Sequence, residues 1–262
     1  METYKDKTIL ITGASSGIGE AFAKRLDKLG ANLILTARSR DKLLNIASSM
    51  KNAIVIDGDL SKSEFPDELY NKIVSKNIEV DIVINNAGFG FSGFFLDSNK
   101  NNYNEMLNVN IYSLTRLTHL FLNDMVKRKS GGIINISSLA SYQPVPYFAV
   151  YAASKAYVTS FTIALYEEYR EKGINILGVC PGYTKTNFNK RAQVSTQNVP
   201  GYMMSSEAVV EQSLKAFNKK KYILINGKIN KFAKFLSSIL PQKWSLKMAK
   251  NIIKKGMNEK RW

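Results

Sequence analysis

Short apolar runs rich in isoleucine, leucine and valine recur along the chain, and longer segments with apolar residues at helical spacing separate them. Because the runs are apolar on both faces, they are typical of parallel strands buried between two layers of helices. The pattern predicts seven strands, at residues 8–11, 32–36, 53–57, 81–84, 132–136, 175–180 and 222–225. We therefore expect an α/β fold with a doubly wound parallel sheet of about seven strands and helices on both faces.

The length and composition of the chain fit one domain with a single large core. Its 262 residues are 45% hydrophobic, and no proline-rich or glycine/serine-rich linker divides them. We expect residues 1–262 to form a single domain. The N-terminus is too polar for a signal peptide, and no apolar run approaches the roughly 20 residues of a membrane span, so a cytoplasmic location is expected.

Positive charge is concentrated towards the C-terminal end of the sequence. The formal net charge is +16, and residues 215–262 contribute +13 of it through 13 lysines, one arginine and one glutamate. The other 214 residues carry only +3, so the body of the protein is close to neutral. Because the basic segment contains no recognised base-reading motif, we do not expect nucleic acid as a partner.

A glycine-rich turn follows the first predicted strand and precedes an amphipathic helix. Glycines in such a turn let backbone N–H groups approach a ligand closely, and the helix offers unpaired donors and a positive dipole end to a pyrophosphate. This context predicts a dinucleotide-binding Rossmann fold. The expected contact residues are Gly13, Ser15, Ser16, Gly17, Ile18 and Gly19.

The end of the second strand indicates which nicotinamide cofactor is bound. An NAD site usually places an acidic residue about 20 residues after the glycines, where it binds the ribose hydroxyls. Here Ala37 occupies that position and Arg38 follows it. A carboxylate would repel a 2′-phosphate, whereas a guanidinium can bind it with two hydrogen bonds. We predict NADP(H), with Arg38 and Ser39 at the phosphate; the alternative is that Arg38 is only a solvated charge.

A tyrosine and a lysine at helical spacing form the candidate catalytic pair. Tyr151 and Lys155 are four residues apart and so share one helix face. A free tyrosine has a pKa of about 10, and a nearby ammonium stabilises the phenolate and lowers that pKa. Lys155 can also bind the nicotinamide ribose. Ser138, thirteen residues before Tyr151, can hold the substrate oxygen, and we expect its neighbour Ser137 to be structural.

Together these motifs resemble those of the short-chain dehydrogenase/reductase family, in the subtype with a Thr-Gly-x-x-x-Gly-x-Gly turn. The resemblance covers about residues 5–190 and includes five motifs in the family's order. It implies hydride transfer between a nicotinamide and a carbonyl or secondary alcohol, with Tyr151 giving or taking the proton. The motifs are residues 12–19, Asp59, residues 85–88, Ser138 with Tyr151 and Lys155, and Pro181 and Gly182 with Thr186.

The resemblance also implies roles for residues whose function the pattern alone does not give. Asp59 and Leu60 would line the adenine pocket, and Asn85 would support the sheet. Asn110 would bend its helix and anchor a proton-relay water near Lys155. The other implied cofactor contacts are Asn86, Ala87 and Gly88 at the adenosine ribose, and Pro181, Gly182, Thr184 and Thr186 after the sixth strand.

Two segments are expected to shape a pocket for an apolar substrate. One is residues 139–148, and the other is residues 187–206, which we interpret as a substrate lid. Their composition favours a sizeable apolar carbonyl or alcohol, such as a hydroxysteroid, a bile acid or a 3-oxoacyl compound. The side chains concerned are Tyr142, Val145, Tyr147, Phe148, Phe188, Val194, Val199, Tyr202, Met203 and Met204. The aromatic stretch 89–95 either lines the mouth of the pocket or has only a packing role in the fold.

Residues 226–262 are expected to form a basic amphipathic extension with two helices around Pro241. Apolar residues recur there at helical spacing among lysines. One interpretation is a helix that lies on an anionic membrane. The interpretation that we favour is that the apolar face packs on the body of the protein, covers the active-site mouth or joins a dimer, with the lysines in solvent.

Two alternatives to an oxidoreductase remain. One is a dinucleotide-binding sensor or scaffold without chemistry, which would have no need of the proton-transfer groups of Tyr151 and Lys155. The other is a different reaction on the same fold, such as epimerisation or dehalogenation. The only histidine, His119, has no partner at metal-ligand spacing, so no metal site is expected. Family members commonly associate through the helices that carry Asn110 and Tyr151, which implies a homodimer or homotetramer.

Overall fold

The computed structural model describes residues 4–188, Ala192 and residues 203–256, and it centres on one parallel sheet. The strands are β1 (Thr8–Thr12), β2 (Asn32–Thr36), β3 (Ala53–Val55), β4 (Ile82–Asn85), β5 (Gly131–Ile136), β6 (Ile174–Cys180) and β7 (Ile223–Ile225). They lie in the order β3-β2-β1-β4-β5-β6-β7, and each neighbouring pair is parallel. The predicted doubly wound sheet is confirmed, with strand ends displaced by one or two residues.

Helices connect most of the strands and continue beyond the last one. They are α1 (Gly17–Lys28), α2 (Arg40–Ala47), α3 (Phe65–Val74), α4 (Lys100–Leu107), α5 (Leu114–Lys127), α6 (Ala149–Tyr169), α7 (Ser206–Asn218), α8 (Lys228–Ile239) and α9 (Gln242–Gly256). A π-helical turn, Asn108–Ser113, joins α4 to α5. Because α1 begins at Gly17, the end of the glycine turn is itself the first turn of the helix.

The sheet separates two buried apolar layers, because successive residues of a strand point to opposite faces. On one face, strand residues such as Leu10 and Val83 pack with α3, α5 and α6. On the other face, residues such as Ile9 and Ile84 pack with α1, α2 and α7. This burial on both faces explains why the strands are apolar along their length.

The carboxyl ends of the central strands form the edge where the candidate functional residues collect. β1 ends at Thr12, β4 at Asn85, β5 at Ile136 and β6 at Cys180, and a predicted motif follows each of them. β1 and β4 are neighbours in the sheet, and the helices that follow them lie on opposite faces. A crevice opens at such a point, and ligands bind there in sheets of this class.

The helices α8 and α9 follow the last strand and match the two predicted around Pro241. α8 has no buried residue, whereas α9 buries Ala249 and Ile253 in the same apolar layer as α6. The buried apolar contact of the extension with the body of the protein therefore comes from one side of α9. In the described ranges no helix is both long enough and apolar enough to cross a membrane.

Candidate active site

The turn after β1 passes very close to two other backbone segments. Gly13 has a φ of +65°, which favours glycine, and a Cβ atom there would lie 2.9 Å from the Cα of Ala87. A Cβ atom on Gly19 would lie 2.3 Å from the carbonyl oxygen of Gly13. Side chains at these positions would push the turn away from β4 or from α1. The glycines therefore keep the backbone cradle that a pyrophosphate requires.

The N-terminus of α1 begins in this turn. Its N-cap residue, Ser16, makes no side-chain capping hydrogen bond, so the first N–H groups of α1 have no capping side chain. Ser15, Ser16, Gly17 and Ile18 line the cleft, and Gly19 is buried beneath it. The backbone donors and the positive end of the helix dipole fit the pyrophosphate of a dinucleotide.

The side chain of Thr12 joins β1 to the turn after β4. Its hydroxyl oxygen accepts hydrogen bonds from the backbone N–H groups of Asn86 and Ala87, each at 2.9 Å. The Asn86 amide donates in return to the carbonyl oxygens of Thr12 and Gly13. Asn86, Ala87 and Gly88 are thereby held along the cleft, which they line. The sequence pattern did not single out the Thr12 hydroxyl, although its place directly before Gly13 was an available signal.

The end of β2 brings Ala37 and Arg38 to the lining of the cleft. Arg38 is exposed and takes part in no salt bridge among the described residues, whereas Arg40 pairs with Asp57 at 2.6 Å. Ser39 is the N-cap residue of α2 and is not among the residues that line the cleft. The guanidinium of Arg38 is therefore the cation that this strand end offers to a phosphate.

The segment after β3 places Asp59 and Leu60 in the same cleft, next to the glycine turn. The Asp59 carboxylate accepts a hydrogen bond from the N–H of Ser61 at 3.0 Å. The hydroxyl of Ser113 donates to the carbonyl oxygen of Leu60 at 2.6 Å, which ties this segment to the π-helical turn. Both residues are thus fixed beside the site expected for the adenine.

Tyr151 and Lys155 lie on α6, and both are buried. The Lys155 ammonium donates to the carbonyl oxygen of Ile136 at 2.8 Å, and its nitrogen lies 5.9 Å from the centre of the Tyr151 ring. Ser138, just beyond the end of β5, lines the same cleft as Tyr151, and its side chain acts to lower the pKa of the phenol. The structure therefore brings the three predicted catalytic side chains together.

Burial changes the acidity of both groups on α6. It raises the pKa of Tyr151 to about 12, because the phenolate loses solvation, and the side chain of Ser138 acts in the opposite direction. It lowers the pKa of Lys155 to about 8, because the ammonium is the charged form. Lys155 is not among the groups that shift the pKa of Tyr151 here, and its ammonium donates instead to the carbonyl oxygen of Ile136. In this state Tyr151 keeps its proton and can donate it.

Asn110 lies behind this pair, in the π-helical turn. Its amide donates to the Phe89 carbonyl oxygen and to the Ser154 hydroxyl, each at 3.0 Å. A Cβ atom on Gly88 would lie 3.0 Å from the Asn110 side-chain oxygen and 3.2 Å from the Lys155 nitrogen, so the two side chains converge on that glycine. A π-helical turn changes the path of a helix locally and is frequent at functional sites. Ser154 is a member of this network that the pattern did not indicate.

Other polar residues near the site have structural or surface positions. The Ser137 hydroxyl is bonded to the carbonyl oxygen of Lys155 at 2.8 Å, so it ties β5 to α6 as expected. The Asn85 amide donates to Asn135 on the adjacent strand at 2.9 Å. His119 is exposed on α5. In the part of the chain that the structure describes, no group of histidine, cysteine, aspartate and glutamate residues could hold a metal ion.

The cleft has a volume of about 530 Å³, within the range of small-molecule sites. The predicted residues after β6 line it: Pro181, Gly182, Thr184 and Thr186. Beyond them the Tyr151 ring lies between Phe148 and Phe188, at centroid distances of 4.4 Å and 5.3 Å. A Cβ atom on Gly90 would lie 2.6 Å from the Phe148 ring and 3.0 Å from that of Tyr151, so this aromatic wall requires a glycine there.

The two segments expected to shape the substrate pocket contribute unequally. Val145, Phe148 and Phe188 line it, together with Phe89 from the aromatic stretch. Met204 instead packs on the opposite face of the sheet, with α7. Tyr142, Tyr147 and Met203 are not among the lining residues of the cleft. Most of the expected lid lies outside the described residues, including Val194, Val199 and Tyr202.

The C-terminal helices complete the pocket. The sequence pattern left this position of the extension as one of several possibilities. The side chain of Asn230 on α8 occupies the space beside Gly182, where a Cβ atom would lie 2.4 Å from the Asn230 amide nitrogen. This contact seats α8 on the turn after β6. The lining residues from the two helices are Ala233, Ala249, Ile252 and Ile253.

Comparison with known families agrees with this geometry. The family sequence model described as short chain dehydrogenase matches residues 7–197 of the sequence. The chain belongs to the short-chain dehydrogenase family. It is therefore an oxidoreductase acting on a carbonyl or alcohol group, and its fold is one that binds a nicotinamide cofactor.

Relatives of this short-chain dehydrogenase include named enzymes and solved structures. The chain is 32% identical over 246 residues to the very-long-chain 3-oxoacyl-CoA reductase of Rattus norvegicus, covering 89% of this chain and 75% of the relative. A short-chain dehydrogenase from Sphingobium yanoikuyae in complex with NADPH has a TM-score of 0.80 and 26% identity, covering 90% and 97% of the two chains. One from Burkholderia phymatum in complex with NAD has a TM-score of 0.81 and 22% identity, covering 91% and 95%. The fold alone therefore does not select the cofactor.

The buried ammonium of Lys155 predicts a pH dependence of stability. Because folding lowers the pKa of Lys155 from 10.5 to about 8, the unfolded chain binds more protons than the folded chain between these values. The free energy of unfolding should rise by about 2 kcal/mol more in the wild type than in Lys155→Met between about pH 7 and about pH 9.5. Urea unfolding without dinucleotide measures this difference.

The matched control is Lys62→Met, which changes an exposed lysine and should follow the wild type at both pH values. An identical pH dependence in the wild type and Lys155→Met would contradict a buried, destabilised ammonium at this position.

Proposed function

We propose that the protein is an NADP(H)-dependent oxidoreductase that interconverts a carbonyl and a secondary alcohol on an apolar substrate, such as a 3-oxoacyl compound, a hydroxysteroid or a bile acid. The observation that carries the proposal is the meeting of Tyr151, Ser138 and Lys155 in a cleft with apolar walls. A buried phenol that keeps its proton at neutral pH is suited to protonate a carbonyl oxygen as it becomes an alkoxide. In this proposal residues 1–262 act as one catalytic domain.

The reductive reaction begins with the carbonyl oxygen held by two hydroxyl groups. Ser138 and Tyr151 each donate a hydrogen bond to that oxygen. A reduced nicotinamide bound in the cleft supplies the hydride that the carbonyl carbon accepts. Tyr151 then transfers its phenolic proton to the oxygen and completes the alcohol, while Ser138 keeps its own proton. In the oxidative direction the Tyr151 phenolate takes the hydroxyl proton of the alcohol.

Lys155 and Asn110 support the proton transfer in different ways. The pKa of Lys155 lies below that of Tyr151, so proton transfer from the ammonium to a newly formed phenolate is favourable. Lys155 also borders the cleft, where we assign it a ribose hydroxyl as a second partner. Asn110 is a positioning residue: it binds the Ser154 hydroxyl, which in turn donates to the backbone carbonyl oxygen of Tyr151 at 2.7 Å.

The proposed preference for NADP(H) rests on the end of β2. Ala37 lines the cleft where an NAD site usually has a carboxylate, and Arg38 follows it as an exposed guanidinium. Asp57 is engaged by Arg40, which holds the pKa of its carboxyl below its usual range. A 2′-phosphate would therefore meet the cation of Arg38. The NADPH complex of the Sphingobium yanoikuyae relative is consistent with this preference.

The proposed substrate class rests on the pocket lining. Val145, Phe148 and Phe188 form one side, and Ile252 and Ile253 of α9 form part of another. Such a lining favours a long or bulky apolar group beside the reacting carbonyl. The name of the Rattus norvegicus relative makes a long-chain 3-oxoacyl thioester the first substrate to test. A sensor without chemistry is disfavoured, because it would gain nothing from a buried phenol that shares a cleft with Ser138 and Lys155.

Replacing Tyr151 by phenylalanine should remove nearly all turnover, by at least about a hundredfold, because the proton donor is lost while the ring remains. The measurement is NADPH oxidation at 340 nm with a panel of long-chain 3-oxoacyl thioesters, oxo-steroids and oxo-bile acids. Binding of NADPH, followed by its fluorescence, should be unchanged within about twofold.

Tyr183→Phe is the matched control, because Tyr183 is a second tyrosine that lines the same cleft. It should retain most of the wild-type turnover. Full activity of Tyr151→Phe would refute the assigned role, and turnover of substrate without any net consumption of NADPH would favour a different reaction on this fold.

Replacing Arg38 by alanine should raise the KM for NADPH by about tenfold to a hundredfold, because a charge-assisted hydrogen bond to the 2′-phosphate is lost. The KM for NADH should change little, since NADH lacks that phosphate. Steady-state kinetics with both cofactors gives the comparison.

Arg40→Ala is the matched control for Arg38→Ala, because the Arg40 guanidinium is paired with Asp57 and is two residues away. It should leave the preference between the two cofactors unchanged. A wild-type enzyme that uses NADH as well as NADPH, or an Arg38→Ala variant with unaltered kinetics, would contradict the assignment.

We also propose a homodimer or homotetramer that uses the outer faces of the π-helical turn, α5 and α6. Tyr112, Tyr157 and Ile163 are exposed large side chains there. The Tyr157 ring stacks on Phe161 with centroids 5.6 Å apart, and its hydroxyl lies 2.9 Å from that of Thr115 on α5. Exposed aromatic side chains on two packed helices are typical of protein interfaces.

The double change Tyr157→Asp with Ile163→Asp should therefore convert the wild-type oligomer to a single chain, because it places carboxylates in an apolar contact. Light scattering after size-exclusion chromatography measures the mass. The control is Leu44→Asp, at an exposed apolar position on α2, which should leave the mass unchanged. A wild-type mass of one chain would overturn this assembly.

A further inference from the structure

One face of α8 consists of large apolar side chains that the body of the protein leaves exposed. Ile229, Phe232, Phe235 and Ile239 keep 62%, 61%, 55% and 60% of their surface. At 3.6 residues per turn these positions fall within an arc of about 120° on the helix. Four large apolar residues on one short arc form a contiguous patch, whereas single exposed apolar residues need no explanation.

The helix α9 has three distinct sides. Ala249 and Ile253 are buried against the body, whereas Trp244 and Met248, one turn apart, keep 67% and 50% of their surface. A stripe of lysines runs along the side away from the buried residues: Lys243, Lys247, Lys250 and Lys254. Trp244 and Met248 thus lie between the packed side and a continuous basic side.

Most of the lysines of this region have no acidic partner among the residues that the structure describes. The sequence has no acidic residue from Gln212 to Asn258. Among the described residues, no salt bridge involves Lys228, Lys231, Lys243, Lys247 or Lys250. The surface is therefore both apolar and strongly cationic, and its complement is a surface that is apolar and anionic.

A second copy of the chain lacks that complement. A twofold contact through this face would place the lysine stripes of two protomers near each other, because such interfaces use the same patch on both subunits. Like charges brought together in a partly dehydrated contact repel each other. The charge of α8 and α9 thus argues for an occupant other than this chain.

We propose that α8 and α9 form a docking surface for an anionic lipid bilayer, with both helices lying in its interface. Phe232, Phe235 and Trp244 would enter the boundary between headgroups and acyl chains, where aromatic side chains are favoured. The lysines of both helices bind the lipid phosphates, each adding about 1 kcal/mol of attraction near the surface.

This docking has a consequence for substrate entry, which rests on the proposed function. Ala233 of α8 and Ile252 of α9 line the cleft, so the helices that meet the bilayer also border the pocket. An apolar substrate dissolved in the membrane can then reach the pocket without crossing water. The docking itself is tested without substrate, so its failure and the failure of the proposed reaction can be told apart.

The test is flotation of the full chain with phosphatidylcholine vesicles that contain or lack phosphatidylglycerol. We expect binding at low salt to the anionic vesicles and at least about tenfold less to the neutral ones, because the lysines need an anionic surface. High salt should release the protein, since it screens the same attraction. A protein that stays unbound to anionic vesicles at low salt overturns the proposal.

Two variants separate the apolar and cationic contributions. Phe232→Ser with Trp244→Ser should lower the bound fraction at least about tenfold, and so should Lys243→Glu with Lys247→Glu and Lys250→Glu. The matched control is Leu44→Ser with Val74→Ser, which removes exposed apolar side chains from α2 and α3 and should bind as the wild type does. NADPH binding should be equal in all of them, which verifies that the variants fold.

Tryptophan fluorescence locates the contact. The sequence has two tryptophans, so a Trp262→Phe background leaves Trp244 as the only one. Anionic vesicles with brominated acyl chains should quench its emission, because bromine atoms quench only tryptophans close to them. Binding without quenching, or binding that the variants on α8 and α9 leave unchanged, places the contact elsewhere and overturns the proposal. The proposal is also overturned if the wild type does not bind vesicles and the double variant Phe232→Ser with Trp244→Ser loses an oligomer that the wild type forms.

Discussion

The contact between the turn after β1 and the turn after β4 is the constraint on which the rest of the site depends. Gly13 approaches Ala87 so closely that no side chain fits between them, and the Thr12 hydroxyl and Asn86 amide hold the two turns together. This joint lies where the connections leave the sheet towards opposite faces, so it fixes the floor of the crevice. The phosphate cradle, the strand end that carries Arg38 and the catalytic helix are all placed relative to it.

The sequence was sufficient for the sheet and for most of the polar site, for physical reasons that particular residues illustrate. A parallel strand buried on both faces must be apolar along its length, so runs such as Ile9–Ile11 can be recognised as strands without knowledge of the neighbouring strands. Gly13 was recognisable because few other residues accept its backbone angles, and the pair Tyr151 and Lys155 because a helix places residues four apart on one side. Each of these requirements is local.

Other features depend on contacts between distant segments, and the pattern could not give them. The effect of Lys155 on the acidity of Tyr151 depends on whether the ammonium faces the phenol or a carbonyl oxygen, and here it donates to that of Ile136. The sequence also left open which residues of α9 are buried. The small Ala249 is buried at the pocket, while the large Trp244 five residues before it remains exposed, and hydrophobicity alone would rank them the other way.

Gly90 has a further consequence, for how the pocket can change. The aromatic wall that Gly90 permits is packed against Tyr151, the proposed proton donor, so a larger residue at 90 or 148 would disturb the position of that tyrosine together with the shape of the pocket. The opposite wall comes from α8 and α9, which supply no proton-transfer group. Substrate range can therefore diverge among related enzymes through their C-terminal helices while the reaction stays the same. The segment that selects the substrate is then distinct from the segment that carries the proton-transfer groups.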